Sequence, residues 1–188
     1  MSDQEFTLCP FPDPGGLPAV ALGGRLRRQG SRLAITFVLS GRLSEVVIPA
    51  AAARPGRRWL LWEGTCSEFF LALPGAQGYW EFNLSPAGHW NVFHLTGYRQ
   101  GIAEEPAITD LPLTVRRQPD RLCLSLDLDL AALLPAAQPW LLAISAVLAH
   151  PDGRRTYWAL VHPAAAPDFH HPASFILTLA AGPTRLSP

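Results

Sequence analysis

The chain has 188 residues, of which 48% are apolar and 16% are charged, and its 15 basic and 15 acidic side chains leave a formal net charge of zero. This length and this apolar fraction predict one compact domain over residues 1–188 and exclude a disordered chain. The neutral balance excludes the strongly basic surface with which proteins bind nucleic acids or anionic membranes.

No targeting or membrane segment is expected. The longest apolar run, 140–148, has about half of the roughly 18 residues that a membrane helix needs. The first residues, MSDQEFTLCPFPDPGG, lack the basic and apolar regions of a signal peptide. Cys9, Cys66 and Cys123 are an odd number of cysteines without a C-x-x-C pair, which predicts reduced thiols. We therefore expect a cytoplasmic protein without a nucleic-acid or membrane partner.

Short alternating segments follow one another along the chain, separated by turns among its 19 prolines and 15 glycines. The predicted strands are 32–39, 66–73, 79–84, 89–95, 122–128, 140–148, 155–161 and 175–179. Strands of this length and spacing predict an all-β antiparallel sandwich. Only 129–134 is predicted to be helical, as one or two turns that begin at Asp129 and end before Pro135.

The sequence Ser85-Pro86-Ala87-Gly88 predicts a type I turn followed by a glycine with positive φ. The register that follows pairs Leu84 with Trp90, Phe82 with Val92 and Trp80 with His94, and it puts Tyr79, Glu81, Asn83, Asn91 and Phe93 on the other face. We expect the first face to be core and the second to be a polar, partly aromatic surface, either a ligand platform or a solvated face. The sequence at 150–153, His-Pro-Asp-Gly, predicts a second turn of this kind.

Alternation along 66–73 turns Phe69 and Leu71 to one face and Cys66, Glu68 and Phe70 to the other. Glu68 is therefore a carboxylate among apolar neighbours, and it needs a hydrogen-bonding partner there. That partner is either structural, an Arg or a backbone amide, or it is a ligand, and the residues leave both interpretations open.

Three motifs resemble one family. They are T-C-x-E-F-F-L at 65–71, Y-W-E-F-N-L-S-P at 79–86, and Y-W-A-L-x-H-P at 157–163 followed by D-F-H at 168–170. Together they resemble the small bacterial stand-alone DOMON-like proteins, which are related to family 9 carbohydrate-binding modules, over about residues 6–179. The resemblance implies an immunoglobulin-like or jelly-roll β-sandwich. It also implies a non-catalytic binding module, for a sugar in one branch and for haem in another.

In the sugar-binding branch, a Trp followed six residues later by a Glu supplies an aromatic wall and a hydrogen-bonding carboxylate. The resemblance assigns these roles to Trp62 and Glu68, and it assigns the opposite wall to Phe169 in the loop before the last strand. The other implied polar groups are Glu81, Asn83 and, from the region of Arg154 and Arg155, Arg154, with His170 at the periphery. A pyranose offers apolar C–H faces to such rings and a rim of hydroxyls to such polar groups. We therefore expect a mono- or oligosaccharide ligand.

The sequence departs from the sugar-binding pattern at three places. Thr65 stands where the pattern has an Asp, and the second wall is Phe169 instead of Trp. The polar residue that precedes this wall falls in the apolar stretch 164–167. A sugar site built from these residues is therefore remodelled relative to the pattern.

Haem is the alternative small ligand. DOMON haem sites typically use a Met and a His, and the only methionine is Met1, which excludes that pair. Ligation by two of the six histidines stays open. His162, His170 and His171 cluster near Asp168, but their spacing matches no metal motif and predicts contacts at strand ends. We expect no cofactor and no metal.

Two other functions compete with a small-ligand site. Glu63, Glu68 and Glu81 include candidates for the acid and base of a glycosidase, but their neighbours suit hydrogen bonding equally well, and we expect no enzyme. A sandwich that binds another protein is the main alternative. A sugar site predicts a closed aromatic pocket at Trp62 and Phe169, whereas a protein interface predicts a flat exposed patch.

The positions of the other tryptophans and of Arg99 can also be predicted. Trp80, Trp90 and Trp158 fall on core-facing positions, so that Trp59 and Trp62 are the candidates for an exposed wall. Arg99 is expected to pair with Glu104 or Glu105 rather than to reach the platform.

Overall fold

The computed structural model describes residues 3–181, in which two antiparallel β-sheets form a sandwich. The strands are β1 Gln4–Thr7, β2 Cys9–Pro10, β3 Val20–Gln29, β4 Arg32–Gly41, β5 Cys66–Ala72, β6 Tyr79–Leu84, β7 Trp90–Leu95, β8 Ala103–Glu104, β9 Thr114–Gln118, β10 Arg121–Asp129, β11 Trp140–Ala149, β12 Arg155–Ala159 and β13 Leu177–Leu179. The small sheet has the order β1-β3-β4-β10-β9, and the large sheet has the order β2-β12-β11-β5-β6-β7-β8, with β13 paired to the start of β11. The predicted all-β sandwich is confirmed.

The core lies between the two sheets because each strand turns alternate side chains inward. In the small sheet, Ile35 and Phe37 of β4 are buried, while the residues between the inward positions are more exposed. In the large sheet, Phe69 of β5 stacks on Phe82 of β6 with their ring centroids 4.4 Å apart. Burial of such side chains contributes roughly 1.5–3 kcal/mol each, so this layer is the main source of stability.

Every predicted strand segment overlaps an observed strand, whereas β1, β2, β3, β8 and β9 lie outside the predicted segments. The longest of these is β3, whose alternation is interrupted by Gly23 and Gly24. A Cβ at these positions would collide with the carbonyl oxygens of Phe6 and Thr36 on the neighbouring strands. The glycines therefore permit the neighbouring backbones to approach closely. Because they have no side chain, they also interrupt the hydrophobic alternation from which β3 would be predicted.

Of the one or two helical turns predicted over 129–134, the structure has a single turn, in which the N–H groups of Leu133 and Leu134 both donate to the Leu130 carbonyl oxygen. Strand β10 continues to Asp129, whose side chain accepts the N–H of Ala131 at 2.9 Å, and a hydrogen-bonded turn around Leu130 follows. Within residues 3–181 the helical elements are single 3₁₀ turns at Leu43–Glu45, Leu61–Glu63 and Pro172–Ser174. No helix in this range is long and apolar enough to cross a membrane.

Both predicted hairpins are present. Gly88 has a φ of +89°, and its N–H donates to the carbonyl of Ser85 at 2.9 Å. The observed register pairs Leu84 with Trp90, Phe82 with Val92 and Trp80 with His94, as predicted. Gly153 closes the second turn with a φ of +86°, between β11 and β12.

The second face of this hairpin is not the surface that the sequence predicts. Glu81 is 4% exposed, and Asn83, Asn91 and Phe93 are fully buried. The reason is that loops lie over the outer face of the large sheet, by which we mean the side chains that point away from the core. These loops form a second apolar cluster with Phe70, Tyr79 and Phe93. A polar face is thereby converted into the floor of a covered cavity.

Candidate functional site

A cavity of about 390 Å³ lies on the outer face of the large sheet. Its lining residues are Trp62, Glu68, Glu81, Leu95, Arg99, Ile102, Val147, Arg155, Tyr157, Pro167, Phe169 and His170. Strands β5, β6, β11 and β12 contribute the floor and one side, and the segments 61–63, 99–102 and 167–170 cover it. Five residues predicted for a ligand site, at positions 62, 68, 81, 169 and 170, are therefore brought together here.

Glu68 lies at the centre of the floor because β5 is a middle strand of the large sheet. Its side chain is 2% exposed and faces away from the core, as the alternation of β5 predicts. Ser145, which pairs with it across β11, donates its hydroxyl to Oε2 at 3.3 Å. The other oxygen, Oε1, has no hydrogen-bond partner among residues 3–181. The structural partner is thus a serine hydroxyl, and half of the carboxyl group remains unpaired.

Glu81 repeats this arrangement on the neighbouring strand β6. Asn83 Nδ2 donates to Glu81 Oε1 at 2.8 Å, while Oε2 is buried without a partner in the described part of the chain. Asn83 does not line the cavity, and its own oxygen lies 3.7 Å from the Cys66 sulfur. Its place is therefore beneath the site, where it orients Glu81.

The two carboxyl groups affect each other electrostatically. Burial raises the pKa of Glu68 well above its usual range, and the nearby charge of Glu81 raises it further. Burial also raises the pKa of Glu81, although the hydrogen bond from Asn83 and the charge of Arg99 oppose the shift. The pair consequently keeps a proton to a higher pH than exposed glutamates do.

Arg99 and Arg155 are at the rim. Arg99 has a φ of +54°, and its Nη2 binds Asp168 Oδ1 at 2.9 Å. The expected pairing of Arg99 with Glu104 or Glu105 is wrong, because the loop turns the guanidinium toward the cavity. Arg155 donates its Nε to the carbonyl oxygen of Glu63 at 2.7 Å.

Arg154 is outside the cavity, which corrects its predicted place in the site. Its side chain binds Asp152 at 2.7 Å and Asp13 at 3.3 Å, beside the second hairpin. Successive residues of an extended chain point in opposite directions, so Arg155 and Tyr157 face the cavity when Arg154 does not. The same alternation would identify Tyr157 as a cavity residue from the sequence.

Aromatic rings stand on different sides of the cavity. Trp62 packs its edge against Phe93, with ring centroids 5.8 Å apart. Phe169 packs in the same manner against Tyr157 at 6.1 Å. Trp59 also touches Phe93, at 4.7 Å, but it is 52% exposed and does not line the cavity.

His170 joins the cavity wall to the buried cluster. The backbone N–H of Arg99 donates to the Tyr79 hydroxyl oxygen at 3.3 Å. The hydroxyl proton of Tyr79 therefore points to His170 Nδ1, which lies 2.8 Å from the oxygen. Burial and the charge of Arg99 lower the pKa of His170 to about 4, in spite of Asp168. His170 is therefore neutral at physiological pH, with its proton on Nε2.

The histidines near the C-terminal loop make protein contacts. His162 Nε2 lies 2.9 Å from the Cys9 carbonyl oxygen, and His171 Nδ1 accepts the N–H of Ala173 at 3.1 Å. Among residues 3–181, no group of three or more His, Cys, Asp and Glu side chains is placed to hold a metal ion. Met1 lies outside the described residues.

Comparison with solved structures shows which proteins share this fold. A proposed carbohydrate-binding protein from Bacteroides uniformis superposes with a TM-score of 0.66 at 14% identity, over 95% of this chain and 85% of that one. A family 9 carbohydrate-binding module from Caldicellulosiruptor kristjanssonii, in complex with cellotriose, superposes with a TM-score of 0.49 at 10% identity, over 80% of this chain and 70% of that one. No protein-family model and no curated protein sequence matches the chain. At such identity the likeness shows the fold.

Proposed function

We propose that this chain is a non-catalytic binding protein whose cavity takes one end of a carbohydrate. The observation that carries the proposal is the convergence of Trp62 and Phe169 on one cavity above two buried carboxyl groups with unpaired oxygens. The volume, about 390 Å³, is in the range of small-molecule sites.

The chemistry of the lining suits a sugar ring. Trp62, Tyr157 and Phe169 offer aromatic surfaces to the apolar C–H faces of a pyranose. Glu68 and Glu81 accept hydrogen bonds from hydroxyl groups at the floor, and Arg99 and Arg155 donate hydrogen bonds at the rim. Such a ligand supplies the donors that the buried carboxyl oxygens lack.

The Bacteroides uniformis protein supports the proposal through its fold, since it is itself a proposed carbohydrate-binding protein. A relation to the DOMON-like proteins stays a prediction from the motifs at 65–71, 79–86 and 157–170. The burial of Glu68 and Glu81 at the floor favours a small ligand over the predicted alternative, a flat protein interface, because a flat partner does not reach side chains that are 2% and 4% exposed.

Isothermal titration with mono- and oligosaccharides tests the proposal, and the chain offers a matched control. Trp62→Ala removes a ring that lines the cavity, whereas Trp59→Ala removes an exposed ring that packs on the same Phe93. We expect saturable binding that Trp62→Ala weakens about tenfold or more, a loss of about 1.4 kcal/mol. Trp59→Ala should change it little. Absence of binding to any sugar, or equal affinity of the Trp62→Ala variant, would overturn the proposal.

A further inference from the structure

The floor of the cavity contains two acceptor oxygens that lack a donor from the described part of the chain. Glu68 Oε1 and Glu81 Oε2 are buried, and no group in residues 3–181 donates to either. A buried acceptor without a donor costs free energy, on the order of 1–3 kcal/mol. A ligand that donates to both oxygens recovers this cost.

The strand register places the two glutamates where one ligand group can contact both. Glu68 pairs with Asn83 and Phe70 pairs with Glu81, so the two glutamates are diagonal neighbours on the same face. Side chains in that relation reach each other across a strand pair. A sugar hydroxyl has one proton to donate, whereas an ammonium group has three and carries a positive charge.

The formal charges around the cavity can be balanced by one added cation. Asp168 neutralises Arg99 at the rim, and its pKa is lowered, against the effect of burial, by its hydrogen bonds to Tyr98 and Arg99. Arg155, also at the rim, balances one of the two floor carboxylates in the count of formal charges. When both floor groups are ionised and His170 is neutral, the site has one negative charge in excess, and without a cation the pair relieves this excess by keeping a proton.

A divalent metal ion does not suit the floor of the cavity. Calcium takes six to eight oxygen ligands, and the described residues contain no group of three acidic, histidine or cysteine side chains that could bind a metal. An ammonium group needs fewer ligands, and an aromatic ring in the same cavity, Trp62, is a side chain with which a cation interacts favourably.

We propose that the cavity selects carbohydrates that carry a protonated amine, which sits between Glu68 and Glu81. This inference rests on the proposed carbohydrate binding and names the ligand class. The two buried unpaired oxygens, together with the excess negative charge, distinguish an amino sugar from a neutral one. The amine replaces the missing donors and balances the charge.

The test compares three sugars that share a ring and differ at one substituent: glucosamine, N-acetylglucosamine and glucose, with the corresponding galactose set alongside. The intact protein is titrated at neutral pH. We expect the amino sugar of at least one set to bind about tenfold more tightly or better than its neutral counterparts, a difference of about 1.4 kcal/mol. Binding of this sugar alone should release protons, as shown by a dependence of the heat on the buffer.

Variants separate the floor charge from general effects. Glu68→Gln and Glu81→Gln should each abolish the preference for the amine, so that the ratio of the affinities for the amino sugar and its neutral counterpart falls to about one, whatever each variant loses in affinity for both. Asp127→Asn, which removes an exposed carboxylate on the small sheet, should leave the preference unchanged. Equal affinity of the wild type for amino and neutral sugars overturns the inference and leaves the proposed function intact. Absence of binding to every sugar overturns both.

Discussion

Glu68 and Glu81 extend into one cavity from adjacent strands, and each has one carboxyl oxygen bonded to the protein and one without a donor among residues 3–181. Strand alternation explains the position, and the loops that cover the outer face explain the burial. The unfilled hydrogen-bonding capacity is a feature of the folded state, so it has consequences for stability as well as for binding.

Glu68→Gln should stabilise the protein at neutral pH, because the amide keeps an acceptor for Ser145 and removes an ionisable group whose charged form is disfavoured by burial and by Glu81. We expect a gain on the order of 1 kcal/mol in the free energy of unfolding. Thermal or urea unfolding followed by circular dichroism measures it. Asp127→Asn serves as the control, and a Glu68→Gln variant less stable than the wild type would contradict the account.

The pH dependence of stability follows with a definite sign. The pKa of Glu68 is raised by burial and by Glu81, above the value of about 4.3 for an exposed glutamate. The folded state therefore binds more protons than the unfolded state, and its stability falls as the pH rises from the unfolded to the folded pKa. Unfolding measured from acidic to neutral pH should show a shallower decline for Glu68→Gln. Parallel curves for the two proteins would refute this assignment.

Arg28 should be far more important to stability than its exposed neighbour Arg27. Its guanidinium lies 3.5 Å from the centre of the Trp140 ring and donates to backbone carbonyl oxygens, among them those of Gln138 and Leu179 at 2.8 and 2.9 Å. Arg28→Ala leaves these acceptors without donors, and we expect a loss of about 3 kcal/mol in urea unfolding. Arg27→Ala should cost less than about 0.5 kcal/mol. Similar losses for both variants would contradict this interpretation.

The Arg99–Asp168 ion pair should matter for binding, whereas the Arg154–Asp152 pair should not. Both join an Arg to an Asp, at 2.9 and 2.7 Å, but only the first borders the cavity. Asp168→Ala releases Arg99 and should weaken sugar binding about tenfold. Asp152→Ala should leave the affinity unchanged by titration calorimetry. If both variants bind as the wild type does, the rim has no role in positioning the ligand.

His170 should stay neutral across the physiological range. Its pKa is lowered to about 4 by burial and by Arg99, so its ring nitrogens should not titrate between about pH 5 and pH 8. Nitrogen-15 NMR of the imidazole should report a proton on Nε2 and a hydrogen-bonded Nδ1. A titration near the ordinary value of about 6.5 would show that burial and Arg99 do not disfavour the charged imidazole.

Local patterns in the sequence are enough to predict the strands that carry the site, β5, β6, β7, β11 and β12. The turn at 85–88 determines the register of β6 and β7, and alternation places Glu68 away from the core. The contacts made by the loops cannot be predicted from such patterns. Arg99 and Asp168 are 69 residues apart in the chain, and neither lies in a periodic segment. The burial of Glu81 depends on those loops, which is why its face was expected to be a surface.

The most direct test of the central claim is an NMR titration that follows the indole N–H signals of the six tryptophans while a carbohydrate that binds in calorimetry is added. The Trp62 signal should shift saturably, with the dissociation constant found by calorimetry, while the signal of Trp140, which lies in the core between the sheets, stays in place. An unmoved Trp62 signal at saturating sugar, with shifts confined to residues outside the cavity, would contradict the account.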